Sequence, residues 1–329
     1  MNEKKLNIRF LLQLTVKYGV YCIFVIMFVI FAFSNKNFFS FANIMLLIQQ
    51  SAPLMIGVIG MTFVMISGGI DISAGANMYL SAAVAATFIV KLQGTGIVET
   101  FGGYVMILMI GVVVGGVIGT VNGFFVAQLN MVPFVVTLIT TSIAQGISLL
   151  ITDSTMIVIN KLGFKLNDKS LFGISISIII GFVMVAIFHY VLKWTVYGRQ
   201  LTAQGNNIEA AKKVGFNTKR NTHIAYIMCG ALCGFAGVLS AGMAGAVPAK
   251  FSIGNEFIII PAAVLGGTSL FGGKGTIFPG AIIGILLVNT IMNGLSMVSA
   301  DPYVYTIVRG FIIFLAIMVD SMNYKGDLR

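Results

Sequence analysis

Residues Gly266 to Thr276, GGTSLFGGKGT, carry the glycines and the lysine from which a loop around a nucleotide's phosphates is built. Such a loop also needs a glycine six residues before its lysine, and a hydroxyl directly after it to hold magnesium. Those two positions, counted from Lys274, hold Thr268 and Gly275, so this chain does not bind ATP there. The stretch reads instead as a tight turn, in which glycine permits φ > 0. A second candidate is Gly68 to Gly75, GGIDISAG, where Asp71 is bordered on both sides by apolar sequence. A carboxylate near a bilayer is costly and marks function or a helix end. Asp71 either caps the following helix, accepting backbone N–H groups at its positive end, or touches a solute.

Other polar groups lie inside apolar runs. Asn77, Asn122, Gln128, Thr137, Gln145, Asn289 and Asn293 are candidates for the wall of a path, since an amide both donates and accepts, as a hydroxyl-rich neutral solute requires. The alternative is hydrogen bonding between helices. Asn289 and Asn293, four apart, share a helix face. Arg309 stands about two turns into the last apolar run. It snorkels to the interface, pairs with Asp301 or Glu256, or lines the path. Cys229 and Cys233 are four apart, but two further metal ligands are lacking nearby, so they read with Cys22 as structural thiols. No disulfide framework follows.

The remaining candidate is the charged stretch Gly198 to Asn221, GRQLTAQGNNIEAAKKVGFNTKRN. Ile208 to Val214 contains strong helix formers, with Asn206 or Asn207 available to cap the start and Gly215 the end. A helix of about two turns is unstable alone and needs a partner to dock into. A loop resting on lipid headgroups is the rival reading.

These segments must be positioned by membrane helices. The chain has 329 residues, 58% of them hydrophobic and 9% charged, against roughly 25% charged in soluble domains. The net charge of +10 does not point to nucleic acid, because the basic residues fall in short loops between apolar runs. A span needs about 20 mostly apolar residues. Ten candidates run over 18–33, 44–66, 72–90, 103–128, 133–151, 171–192, 222–247, 257–270, 276–295 and 303–320. The eighth is short and glycine-rich, so it either spans or is broken or re-entrant. With the N-terminus inside, the inner segments hold 13 of the 20 Lys and Arg and the outer segments 6. That excess places both termini in the cytosol. The basic residues Lys4, Lys5, Arg9 and Lys17 precede a first span that is retained rather than cleaved, since no small-x-small site follows it. The expected fold is all-α and integral to the membrane, one domain over residues 1–329. Glycine breaks at 68–75 and 266–273 suggest two related halves.

Taken together, these motifs resemble the permease subunits of bacterial ABC importers for ribose and related monosaccharides, the carbohydrate uptake transporter family 2. The resemblance covers about residues 40 to 320. It rests on GGIDIS, VNG at Val121 to Gly123, VPFVVTL at Val132 to Leu138, GRQLTAQGNNIEAAKKVGF, VLGGTSLFGGKGT and VRGFIIFLAIMVD. It implies a permease subunit in the bacterial plasma membrane, not an enzyme, that supplies the path and no chemistry. Implied partners are a cytosolic ATPase that binds ATP and magnesium, an extracytoplasmic sugar-binding protein and a second permease copy, identical or related. This chain then needs no cofactor of its own. Arg199, Gly205, Asn206, Asn207, Glu209, Ala210, Ala211 and Gly215, within 198–221, would seat in the ATPase. Asp71, Asn77, Asn122, Asn289, Asn293 and Arg309 would border the path. Ala74, Ala76 and Arg309 depart mildly from the family pattern and leave the sugar open. A secondary transporter driven by protons or sodium is the alternative. It is disfavoured because Asp71 reads as the one acid near hydrocarbon, with none at mid-span. A non-transporting scaffold fits the glycine-broken helices less well.

Overall fold

The computed structural model describes residues 22–159, 164, 170–171 and 173–327. The N-terminal basic residues, the start of the first expected span and Lys161, Lys165 and Lys169 lie outside these. Twelve α-helices follow in order among the described residues. They are α1 (Cys22–Ser34), α2 (Phe41–Ile66), α3 (Ala74–Lys91), α4 (Phe101–Gly123), α5 (Pro133–Ile151) and α6 (Ile176–Trp194). Then come α7 (Val196–Asn206), α8 (Ile208–Lys213), α9 (Thr218–Ala244), α10 (Glu256–Leu265), α11 (Gly280–Met297) and α12 (Pro302–Asp327). Two-residue strands make two antiparallel pairs, Ile157–Val158 with Ala246–Val247 and Ser170–Leu171 with Ile174–Ser175.

Seven helices are long and apolar enough to cross a membrane, and three shorter apolar helices lie at Cys22–Ser34, Glu256–Leu265 and Pro302–Met318. Each of the ten expected segments therefore contains an apolar helix. The eighth is α10, whose ten residues extend only about 15 Å. That is half a bilayer core, so α10 does not span by itself.

The helices start where local chemistry satisfies free N–H groups. Ser40 accepts from Asn43 N ahead of α2, Thr100 accepts from Gly103 N ahead of α4, and Pro133 opens α5. Helices α2, α3 and α9 form the buried centre, while α4, α5 and α6 present most of their surface outward. The closest packing is between α4 and α9, where Gly111, Gly115 and Gly119 face Gly230 and Gly234 backbone to backbone. Membrane helices approach this closely only through small residues.

The glycine echo is a shared helix ending. At the end of α2, Gly68 has φ +85 and Gly69 N donates to Val64 O at 3.1 Å. At the end of α10, Gly267 has φ +92 and Thr268 N donates to Ala263 O at 3.0 Å. Both are Schellman caps. They align Gly68 with Gly267, one residue away from the register in which Gly68 pairs with Gly266.

Candidate functional site

At one end of the bundle, α7 and α8 stand outside the apolar spans. Thr195 starts α7 by accepting from Gly198 N at 3.2 Å. Leu201 and Gln204 are buried beneath it, and Gln204 Nε2 donates to Thr222 Oγ1 at 2.9 Å. Tyr197 donates from its hydroxyl to Asn221 O at 3.2 Å, and burial pushes its phenol above the ordinary range, so the donor proton is retained. The exposed Arg199 donates from Nη1 to Trp194 O at 3.2 Å. This helix is an addition to the sequence reading, which expected only the shorter one. Its signal was weak, since two glycines and several polar residues hide the period.

Helix α8 forms as expected. Of the two candidate caps, Asn207 serves, its Oδ1 accepting from Ala210 N at 2.9 Å. Asn206 instead donates from Nδ2 to Thr202 O at 3.0 Å and to Gly273 O at 3.3 Å. Gly215 ends the helix at φ +84, with Phe216 N donating to Ala211 O at 3.1 Å. Ala211 points inward and is buried, whereas Glu209 and Ala210 face out. Glu209 pairs with Lys212 at 2.8 Å. Ile208 and Val214 are exposed by 48% and 68%, so this face carries apolar side chains among charges. Gly205 has no room for a side chain, since a Cβ there would lie 2.9 Å from Gly273 Cα and closer still to Ile66 O. A cavity of about 380 Å³ opens between α8, the turn at 67–69 and residues 126–133, with Lys219 donating to Gln128 O at its edge.

The intramembrane polar residues divide. Asp71 is 1% exposed and takes a single backbone N–H, that of Ser73, at 2.9 Å, together with the Ser73 hydroxyl. Asn122 Nδ2 donates to Ser73 Oγ at 2.9 Å and to Asp71 Oδ1 at 3.4 Å, and Thr140 Oγ1 donates to Asn122 Oδ1 at 2.6 Å. The Asp71 carboxylate is thus the centre of a node joining the start of α3 to α4 and α5. Asn77 donates to Gly230 O at 3.1 Å and to Gly115 O at 3.4 Å, across the glycine seam. Asn289 donates to Ser51 Oγ at 2.8 Å. Asn293 and Asn43 exchange amide hydrogen bonds at 3.1 and 3.0 Å. Thr137 donates to Pro133 O at 3.0 Å. Ser73, Thr140, Ser51 and Asn43 escaped the sequence reading, because nothing in linear spacing pairs residues on different helices.

Gln145 differs. It is half-buried, and its side-chain amide makes no hydrogen bond with any described residue. Beside it on α5 lie Thr141, Ser142 and Gly146, the last with open space where a Cβ would stand. The neighbouring strip, Ile139, Ile143, Ile147 and Leu150, is exposed and apolar. Helix α5 therefore has one apolar outer strip and one polar flank at mid-depth.

One expectation is corrected. Asp71 is not the only buried acid, for Glu256 at the start of α10 and Asp320 on α12 are 4% and 8% exposed. Glu256 escaped because α10 begins inside the bundle, where the sequence reads as an outer loop. Arg309 is half-buried, and a Cβ on Gly254 would sit 3.4 Å from its Nη1. Gly254 N in turn donates to Glu256 Oε2 at 3.1 Å.

Residues 43–317 match the family described as branched-chain amino acid transport system / permease component. The chain belongs to this permease family. It is thus a membrane-transport subunit rather than an enzyme. It is 32% identical to the D-allose transport system permease protein AlsC of Escherichia coli K12, over 94% of this chain and 93% of that protein. The galactose/methyl galactoside import permease protein MglC of Salmonella typhimurium LT2 is 31% identical over 93% of this chain and 94% of its own length. The ribose import permease protein RbsC of Escherichia coli K12 is 32% identical over 87% and 88%. No solved structure matches the permease.

Proposed function

We propose that this permease is the membrane subunit of an ATP-driven importer of a monosaccharide. The observation that carries the reading is the near full-length similarity to permeases named for allose, galactose and ribose import. The partners are a cytosolic ATPase, which binds the ATP and magnesium, an extracytoplasmic sugar-binding protein and a second permease copy. The end bearing α7 and α8 is cytosolic, and so are both termini, in keeping with 13 of 20 basic residues on that side. The exposed Ile208 and Val214, set among Glu209, Lys212 and Lys213, suit a groove in the ATPase. ATP closes the ATPase dimer, α8 is displaced with it, and the path turns from one side to the other.

The test is purification of the tagged chain from its own membrane in mild detergent. A stoichiometric ATPase is expected to accompany it. With the binding protein, the complex in liposomes should accumulate radiolabelled D-allose, D-galactose or D-ribose only when ATP is supplied. A chain that purifies alone and moves these sugars under a proton gradient without ATP is a secondary transporter, and the reading fails.

The polar flank of α5 belongs to the path. An amide facing hydrocarbon without a partner costs about 2–7 kcal/mol, whereas in a watered path between two copies Gln145 meets water or sugar hydroxyls. In a Cys22→Ser background, with Cys229 and Cys233 buried, Gln145→Cys should react with a charged, membrane-impermeant methanethiosulfonate. The reaction should be at least about tenfold faster than that of Ile143→Cys on the apolar strip. Equal rates at the two positions would place the flank in lipid.

A further inference from the structure

Helix α12 meets the half-helix α10 at both ends and bonds to the loop beyond one of them. Arg309 and Asp320 are eleven residues apart, about three turns, and so lie on one face of α12, roughly 16 Å from each other. Arg309 lies against the turn that begins α10, at Gly254. Asp320 reaches past its other end, where Oδ2 accepts from Leu270 N at 2.7 Å and from Ser269 Oγ at 3.3 Å. The ten residues of α10 fill about 15 Å between these contacts.

The loop that Asp320 holds is also the one the α7–α8 segment touches. Gly273 N donates to Ile66 O at 2.9 Å, and Asn206 Nδ2 donates to Gly273 O. Gly205 packs on Gly272 and Gly273 with no space between backbones. Within the loop, Gly267, Gly272 and Gly273 have φ of +92, +90 and +75. Three such glycines give a loop that yields easily, because no Cβ limits its conformations. The loop is tied within itself, with Ser269 N donating to Lys274 O at 3.0 Å and Thr276 Oγ1 to Gly266 O at 2.7 Å, but a push from Asn206 passes to α12 only through a contact between loop and helix.

We propose that Asp320 is a positioning residue for coupling. It fastens the 266–276 loop to α12, so that displacement of α7 and α8 moves α10 and α12 as one body. The proposal rests on the importer reading above. A carboxylate accepting from a backbone N–H in a buried site makes a short, charge-assisted bond, and it joins the loop to α12.

The experiment uses the complex purified with its ATPase and binding protein, in liposomes, with whichever of D-allose, D-galactose or D-ribose the wild type accumulates. Sugar imported and ATP hydrolysed are measured together. Asp320→Leu should lower the sugar-to-ATP ratio at least about fivefold, with hydrolysis within about twofold of wild type. Asp320→Asn, whose amide oxygen still accepts from Leu270 N, should recover most of the ratio. A merely structural Asp320 would lower both rates in proportion, and an unchanged ratio in Asp320→Leu overturns the proposal. If Asp320→Leu does not assemble, Ser269→Ala, which removes the longer of the two bonds together with the Phe271 N–H bond to Ser269 Oγ at 3.2 Å, is read by the same ratio. A fall of about twofold supports the link, and no change overturns it. A wild type that shows no ATP-dependent uptake refutes the importer reading instead.

Discussion

Gly230→Leu should lower the thermal midpoint of the detergent-solubilised chain by on the order of 10 °C. A Cβ at Gly230 falls 2.7 Å from Gly119 N and Cα and closer still to Gly115 O, so backbone stands in the way on the facing helix. A flexible side chain would swing aside, whereas α4 must move bodily. That movement separates Gly111 and Gly115 from Gly234 and stretches the Asn77 bonds to Gly115 O and Gly230 O. Overpacking typically costs about 1–3 kcal/mol, and with backbone on both sides about 3 kcal/mol is expected here. At roughly 2–4 °C per kcal/mol for a chain of this size, the shift follows. Gly146→Leu is the control, because nothing lies within 4 Å of a Cβ there. It should shift the midpoint by about 2 °C or less, in line with the roughly 0.5 kcal/mol of a free surface site. Similar losses in both variants would show that the α4–α9 seam is not specially tight.

The second large effect is expected on transport rather than on folding. Gly215→Pro should reduce uptake more than about tenfold and leave the thermal midpoint unchanged. Gly215 has φ +84 and donates its N–H to Lys212 O at 2.9 Å. Proline is confined to φ near −65° and has no N–H, so both the turn and its hydrogen bond are lost. The six residues of α8 are too few to persist without their caps. The rest of the bundle is unaffected, since α8 contributes only Ala211 to the interior. Uptake in the complex with its ATPase is the readout. Gly215→Ala keeps the N–H and pays only about 1–2 kcal/mol for the left-handed backbone, so its loss should be smaller. Uptake within twofold of wild type in Gly215→Pro would remove α8 from the coupling path.

The two variants probe features of different legibility. The Asn207–Gly215 unit was readable because capping is local: an asparagine three residues before the N–H it accepts from, and a glycine where φ must be positive. The helix ends at Gly68 and Gly267 were readable for the same reason, though only the hydrogen bonds set their register. The glycine seam left a partial signal. Gly111, Gly115, Gly119 and Gly123 recur every fourth residue, as do Gly230 and Gly234, which marks faces that admit close approach. Which face meets which is not written in either spacing. The polar residues were least legible. Asn77, Asn122, Asn289 and Asn293 look alike in sequence to Gln145, yet four are bonded across helices and one has no partner among the described residues. Glu256 and Asp320 look like loop or terminal acids and are buried.

By itself the sequence determined the membrane class, the positions of the apolar helices, the short helix α8 and the departure of 266–276 from a phosphate loop's spacing. Each of these depends on composition or on residues within a turn or two of each other. Only the tertiary structure decided that α10 stops halfway, that Asp71 gathers Ser73, Asn122 and Thr140, and that Gln145 is left facing outward. It also brought Asp320 to Leu270. These depend on which helix faces come together, and in a chain where nearly every face is apolar, packing of small residues and pairing of scarce polar groups select the arrangement.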